Sequence, residues 1–298
     1  MSSPATTPAP DSPFSLDNAA AYLAWREQKL SGCPSRVEDL VVDVHDPRCL
    51  TEAEHDAILQ RCRNTNVAVY RSDCGADPDK AIPKQLGLQL GLTHLDRNLL
   101  ADDDGITALS LAAGGARLDY IPYSNRPLNW HTDGYYNVTR RQIRAMLLHC
   151  VRPAMSGGIN ALLDHEIAYI MLRDADTRYV QALMETDAMT IPERIDEHGV
   201  ARPAQTGPVF SVDPESGTLH MRYTARTRSI VWKQNPETLA AREFLERLLA
   251  SDTPYIFHVR LEAGMGIVCN NVLHNRSGFA GSGDDERLLY RARYYDHM

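Results

Sequence analysis

The sequence predicts an α+β, mainly β fold: a sandwich- or barrel-like β core joined to an α-rich N-terminal part. Three observations predict it. Up to about residue 112 the chain alternates helical and strand-like segments. Beyond that, short apolar runs of strand length follow one another between Gly, Pro, Asp and Ser clusters. No internal repeat or linker interrupts the chain. Residues 15–298 are therefore read as one domain, with 15–112 as its α/β N-terminal part and 113–298 as the β core that carries the site.

The first residues, "MSSPATTPAPDSP", lack the basic start and apolar stretch of a secretory signal. Residues 1–14 read as a disordered tail rich in Pro, Ser and Thr. "SLDNAAAYLAWREQKL" follows as a helix with a Ser or Asp cap. "EDLVVDVHD" is a strand. "LTEAEHDAILQRCRN" is a helix that opens on a capping box, Thr51 with Glu54 three residues on. "VAVYR" is a short apolar strand. In the second part, strands are expected at "IRAMLLHCV", "GPVFSVD", "TLHMRYT", "YIFHVRL", "GIVCNN" and "RLLYRARYY". Helices interrupt them near 164–185 and 236–250. "GDDERL", before the last strand, reads as a solvated loop.

Composition narrows the function classes. With 298 residues, 43% apolar and 23% charged, the chain can bury a sizeable core. A net charge of -8 argues against nucleic acid or an anionic membrane as a partner. No apolar run reaches the roughly 18 residues of a membrane span. The six cysteines form no CxxC pair, which points to reduced thiols in a cytoplasmic protein.

The chemistry-bearing stretch is "NWHTDGYYN". Two histidines and one carboxylate make a facial triad that binds Fe(II) and leaves coordination positions open. His-x-Asp occurs twice, as His131–Asp133 and as His94–Asp96 in "THLD". The spacing alone is weak evidence, and context separates the two. "THLD" ends a Leu/Gly-rich segment and reads as a solvated polar turn. His131 and Asp133 stand among aromatic and turn residues, and "VCNNVLHNRSGF" offers His274 as a distant third ligand. His149 reads as a core or edge residue, and His165 as a helix start. His220 and His258 sit in strands with neither face specified. In the last strand, Arg287, Arg291 and Arg293 differ by even numbers and share one face. Arginines facing inward need an anion, and a dicarboxylic cosubstrate would supply one through a bidentate fork.

Four motifs in order then resemble the taurine dioxygenase/2,4-D dioxygenase (TauD/TfdA) family of Fe(II)- and 2-oxoglutarate-dependent oxygenases, leaning toward its γ-butyrobetaine hydroxylase-like branch. They are "PYSNRPLNWHTDGYY", "LLHCVRPAMSGGINALLD", "NNVLHNRSGF" and "RLLYRARYYD", spanning about residues 120–296. The resemblance implies a double-stranded β-helix, or jelly-roll, with flanking helices. It implies iron held by His131, Asp133 and His274, and 2-oxoglutarate gripped at its far carboxylate by Arg287. Asn160, after Gly157 and Gly158, falls where many relatives have a Thr assisting that contact. Arg291 matches a second arginine that meets the cosubstrate or the substrate's anionic group. O2 is the oxidant, succinate and CO2 are products, and hydroxylation of an unactivated C–H is the expected outcome. Asp133 argues against halogenation, because related halogenases lack that carboxylate.

For the substrate, the aromatic residues near the motif, Tyr120, Tyr123, Trp130, Tyr135 and Tyr136, suggest a cage for a quaternary ammonium group. Arg293 stands where the butyrobetaine-type relatives have a cage tyrosine, and a like charge there opposes such a cation. A small anionic metabolite fits better, met by Arg291 and Arg293, with Tyr123, Asn125 and Tyr135 lining the cavity; Arg222 and Arg226 in "MRYTARTRS" read either as a solvent-exposed hairpin or as further cavity contacts. Alternatives are a catalytically silent jelly-roll ligand sensor, or an oxygenase acting on a betaine-type or macromolecular substrate. A homo-oligomer is expected from the relatives.

Overall fold

The computed structural model describes residues 8–97, 104–111, 121–196, 199–226, 230–280 and 287–298. Ten strands build the β core. They are β1 (Val41–Val44), β2 (Val67–Ser72), β3 (Thr107–Leu109), β4 (Leu128–His131), β5 (Ala145–Arg152), β6 (Asn160–Leu163), β7 (Phe257–Val259), β8 (Met265–Cys269), β9 (Leu273–Arg276) and β10 (Leu288–Tyr294). Six form one sheet in the order β1-β2-β8-β5-β10-β3, and four form a second in the order β7-β6-β9-β4. The expected jelly-roll core with flanking helices is what the chain adopts.

Side-chain parity explains how one sheet serves both a core and a site. In β5, Ala145, Leu147 and Val151 enter an apolar cluster, as do Tyr290, Ala292 and Tyr294 of β10. The helices Glu52–Thr65 and Ala81–Gln89 contribute Ile58, Cys62 and Leu86 to that cluster. The other parity, Met146 and Leu148 of β5 and Leu289 and Arg291 of β10, lines a cavity shared with residues of the four-stranded sheet. A period of two along each strand thus separates structure from function.

The N-terminal alternation feeds the same sheet. β1 and β2 pair in parallel, Val41 opposite Val69, and the helix Glu52–Thr65 is their crossover. Its capping box is present, with Thr51 accepting from the Glu54 amide and Glu54 accepting from the Thr51 amide. The remaining pairs in this sheet are antiparallel.

Where the sequence suggests one domain over 15–298, the chain folds as two compact units interleaved along it. The β core belongs to the unit drawn from Pro34–Asp133, Ile143–Leu162 and Ile256–Met298. The other unit draws on Met1–Cys33, Gly134–Gln142 and Leu163–Tyr255. The physical reason is an insertion between β6 and β7, which pair directly through Leu162 and Phe257. That insertion buries its own apolar residues, among them Ile167, Tyr169, Leu183, Phe210 and Leu245. The region read as one helix, 164–185, is two: His165–Ala175 and Thr177–Leu183, divided at Asp176, whose backbone is extended and whose side chain accepts from the Arg178 amide to cap the second. The helix Ala19–Ser31 is capped by Asn18 rather than by Ser15 or Asp17. Phe14, assigned to the tail, is buried against Trp25 and Tyr169, because those rings give it an apolar seat. Tyr120 and residues 281–286, which include most of "GDDERL", lie outside the described residues.

Candidate metal centre

β4 and β9 are antiparallel neighbours, and His131 and His274 are opposite each other in their register. Pairing alone therefore brings together two histidines 143 positions apart in sequence. Their ring centroids are 4.2 Å apart. Asp133, two residues past His131, completes the group: one ligand-type atom from each of the three lies within 4.8 Å of the others. All three are buried.

The backbone around this triad is clamped. Asn271, in the tight turn joining β8 to β9, has a φ of 51°, a left-handed conformation that Asn tolerates. Its Oδ1 accepts from the Asp133 amide at 2.7 Å. Its Nδ2 donates to the carbonyls of Asp133 at 2.9 Å and Ile143 at 2.6 Å. Nδ1 of His131 lies 2.9 Å from the Asn129 carbonyl, and Nδ1 of His274 lies 2.9 Å from that of Val272. A carbonyl accepts only, so each neutral ring carries its proton on Nδ1 and its lone pair on Nε2, the tautomer a metal needs.

Electrostatics agree. Burial, then the neighbouring His274, pushes His131 down to about 3, and burial lowers His274 as well. Both rings are neutral at physiological pH. Burial alone would raise Asp133, but Arg291 and Arg293 outweigh it and hold the carboxylate well below its usual range. Oδ2 of Asp133 is buried without a hydrogen-bond partner. An orphaned buried carboxylate oxygen beside two neutral imidazoles is a donor set that a divalent transition metal satisfies.

Next to the triad is a cavity enclosing about 420 Å³, including space open to solvent, lined by His131 and His274 and by Asn160, Arg287 and Arg291. Arg287 is buried, and burial pushes its guanidinium down to about 10. It forms no ion pair with another described residue; its guanidinium carbon sits 5.0 Å from the centre of the Phe279 ring. The Gly157–Gly158 turn passes beside it with φ of 72° and 68°. A Cβ on Gly157 would sit 2.2 Å from the Gly278 carbonyl, so the close turn requires glycine there. Asn160 is buried at the start of β6, its Nδ2 3.4 Å from the Val259 carbonyl.

The expected substrate contacts separate. Arg291 lines the cavity; Tyr123, Asn125 and Arg293 are not among its described lining residues, although Pro122 is. Tyr123 is buried in a short 3-10 turn, and Asn125 is exposed, its carbonyl accepting from Phe279. Arg293 forms a buried ion pair with Asp96 at 2.5 Å. Tyr135 belongs to the other compact unit, edge-on to Tyr136 and 6.0 Å from the guanidinium of Arg226. Arg222, expected on an exposed hairpin or in the cavity, is instead buried in that unit. It donates to the backbone carbonyls of Met189, Gly207 and Pro208, acceptors where two paired strands of that unit meet.

The two His-x-Asp matches also differ from expectation. His94 is exposed and paired with Asp296, as a polar turn should be. Asp96 is not solvated: it is 2% exposed and held by Arg293 and by the Tyr295 hydroxyl. Sequence reading missed Asp96 and Asn271. A doubled Asn after an apolar strand is a turn signal that could have pointed to the second; nothing local marks the first. His149 is buried and bonded to the Tyr70 hydroxyl at 2.8 Å, as a core histidine should be. His165 opens its helix, with Nε2 on the Leu219 carbonyl. His258 is exposed.

A family model described as taurine catabolism dioxygenase TauD, TfdA family matches residues 28–293. A uridine-5'-phosphate dioxygenase from Amycolatopsis sp is 30% identical over 291 residues, covering 87% of this chain and 97% of that protein. Among solved structures, an asparagine oxygenase in complex with Fe(II), 3-hydroxyasparagine and succinate superposes with a TM-score of 0.60 at 12% identity, covering 82% of this chain and 80% of that one. A taurine dioxygenase from Burkholderia xenovorans superposes with a TM-score of 0.56 at 19% identity, covering 85% and 86%. At those identities the structural likeness establishes the shared fold.

Proposed function

We propose, on the premise that this chain belongs to the taurine catabolism dioxygenase TauD/TfdA family and is an Fe(II)- and 2-oxoglutarate-dependent dioxygenase, that it oxidises a C–H of uridine-5'-phosphate or a closely similar nucleotide. The observation that carries this reading is the 30% identity to a uridine-5'-phosphate dioxygenase over 97% of its length. The γ-butyrobetaine lean gains no support from the relatives found.

His131, Asp133 and His274 hold the iron through the two Nε2 atoms and a carboxylate oxygen. Arg287, with no acidic partner among the described residues, takes the far carboxylate of 2-oxoglutarate, and Asn160 lines the same cavity. When bound, iron and 2-oxoglutarate would supply the chemistry that activates O2, the oxidant, with 2-oxoglutarate itself oxidised to succinate and CO2. This chain's own residues orient and exclude. Asn271 fixes the backbone that carries Asp133. The carbonyls of Asn129 and Val272 fix the ring tautomers. Leu109, Leu128, Met146, Leu148 and Leu289 wall the cavity with apolar surface that keeps water from the reacting carbon.

Arg291 is the substrate's anchor. Its Nη1 lies 3.2 Å from Asp133, and its Nε is buried without a hydrogen-bond partner. Once the carboxylate is engaged by a metal, this guanidinium has charge and donors for a phosphate. Of the residues read as substrate contacts, this is the one lining the cavity.

The test is substrate-dependent turnover. Protein loaded with Fe(II) and 2-oxoglutarate in air is assayed for succinate with uridine-5'-phosphate, uridine, taurine and a betaine. Stimulation by the nucleotide of about tenfold or more over the uncoupled rate supports the reading; a chemical rate gain of that size is about 1.4 kcal/mol. Equal succinate with and without the nucleotide refutes it.

A further inference from the structure

Two arginines face the carboxylate of Asp133, the half-buried Arg291 and the buried Arg293, and they are not equivalent. Arg291 lines the cavity. Arg293 sits two residues on, on the same face of β10, with Nη1 3.9 Å from Asp133 Oδ1 and Nη2 2.5 Å from Asp96 Oδ2. Asp96, Arg293 and Asp133 are 2%, 3% and 5% exposed. Asp96 is itself fixed. Its Oδ1 accepts from the Tyr295 hydroxyl at 2.5 Å, and its amide donates to the Arg293 carbonyl at 2.8 Å. An isolated antiparallel bridge between Leu95 and Tyr294 ties this segment to β10.

A guanidinium between two buried carboxylates is drawn to both, and in a dry interior such attractions are strong. A cation in full contact with Asp133 would compete with a metal for the same oxygens. Arg291 already reaches Asp133 Oδ1 at 3.2 Å; the close contact of Arg293 goes to Asp96 instead, and Asp133 keeps the longer approach from this second guanidinium. We propose that Asp96 is a positioning residue: it holds the Arg293 guanidinium off Asp133, so that this carboxylate stays available to the metal. Arg293, in turn, is neutralised from behind and adds no uncompensated positive charge beside the ion. The inference rests on the reading of His131, Asp133 and His274 as the iron ligands.

The experiment is an anaerobic titration of the full-length apo protein with Fe(II), by competition with a chromophoric chelator, followed by the visible charge-transfer band on adding 2-oxoglutarate. Asp96→Asn should weaken Fe(II) binding by about 10- to 100-fold, the usual effect of losing an outer-shell partner. Adding Arg293→Gln to Asp96→Asn removes the competing cation together with its counter-charge, and should return Fe(II) affinity to within about threefold of the parent, a coupling that a double-mutant cycle isolates. Tyr295→Phe leaves both charges in place and should stay within about threefold as well. Circular dichroism and thermal melting check each fold.

If Asp96→Asn does not fold, Arg293→Gln alone carries the test: the proposal expects affinity equal to or above the parent, and a merely supporting role expects a loss. Asp96→Asn binding Fe(II) as tightly as the parent overturns the proposal, and so does a double variant as weak as Asp96→Asn. A parent that binds no Fe(II), or a His131→Ala variant that titrates like the parent, overturns the ligand reading instead and takes the proposal with it.

Discussion

Replacing Arg287 by Met should separate cosubstrate binding from stability, in opposite directions. The guanidinium is 6% exposed, and burial brings it from 12.5 down to about 10. At about 1.36 kcal/mol per pH unit, that is about 3 kcal/mol of charge stabilisation lost on folding. A dicarboxylate restores it by pairing with the cation. Removing one partner of such a buried pair costs about 2–5 kcal/mol of binding. The affinity for 2-oxoglutarate should therefore fall by about 30- to 4000-fold. Meanwhile the protein without cosubstrate no longer buries an unpaired charge. It also loses the contact with Phe279 at 5.0 Å, which is worth about 0.5–2 kcal/mol. The net is a gain of about 1–2.5 kcal/mol, or a rise of a few degrees in Tm. Anaerobic titration with 2-oxoglutarate and thermal melting of the apo protein measure the two. A variant that binds 2-oxoglutarate within about threefold of the parent, or that melts several degrees lower, would refute the reasoning.

Two further outcomes follow from the same geometry. His131 is held near 3 in the fold and titrates near 6.5 when unfolded, so the unfolded chain takes up the proton first. Apo stability should fall as pH drops from about 6.5 toward 3, by up to about 4 kcal/mol from this residue; His131→Asn should flatten the loss in pH-dependent melts, and an unchanged slope would refute it. Gly266 lies in β8 between β2 and β5, where a Cβ would sit 2.3 Å from both the Leu148 carbonyl and the Tyr70 ring. Gly266→Ala should cost about 3 kcal/mol or more, read by chemical denaturation, and a loss below about 1 kcal/mol would contradict that packing.

The parts of this site that follow a local rule were readable. His131 and Asp133 share a short motif, and the arginines of β10 share a parity. The capping box at Thr51 and Glu54 is likewise a rule of spacing. What was not readable depends on distant pairing. Asp96 was a polar residue in a turn until the Leu95–Tyr294 bridge placed it against Arg293. Arg222 looked exposed because a hairpin arginine usually is; it is buried because the carbonyls of Met189, Gly207 and Pro208 needed a donor. The second compact unit was hidden for a related reason. Residues 163–255 carry strand and helix signals that fit a β core as well as they fit an insertion with a core of its own, and periodicity does not say which core a residue joins.

The charges of the buried site bear on the substrate. Asp96 pairs with Arg293, Asp133 pairs with Arg291, and Arg287 has no acidic partner among the described residues. Arg276, buried and lining the same cavity, also has no acidic partner among the described residues, so two negative and four positive charges leave a net of +2. Fe(II) and the 2-oxoglutarate dianion add equal and opposite amounts, so the surplus persists in the loaded enzyme. A surplus cation in a dry cavity favours an anionic substrate and disfavours a neutral or cationic one. Uridine differs from its 5'-phosphate by a phosphate group, which carries about -1.5 to -2 charge and three strong acceptor oxygens at neutral pH. If Arg291 receives the phosphate, kcat/KM for uridine should fall below that for the nucleotide by about 30- to 1000-fold, the worth of one buried charge-assisted contact. Arg291→Gln should lower kcat/KM for the nucleotide and leave that for uridine nearly unchanged, so that the two converge to within about tenfold. Uridine turned over as well as the nucleotide by the parent enzyme would mean that the surplus charge has another use. A discrimination that survives Arg291→Gln would mean that the phosphate is held elsewhere.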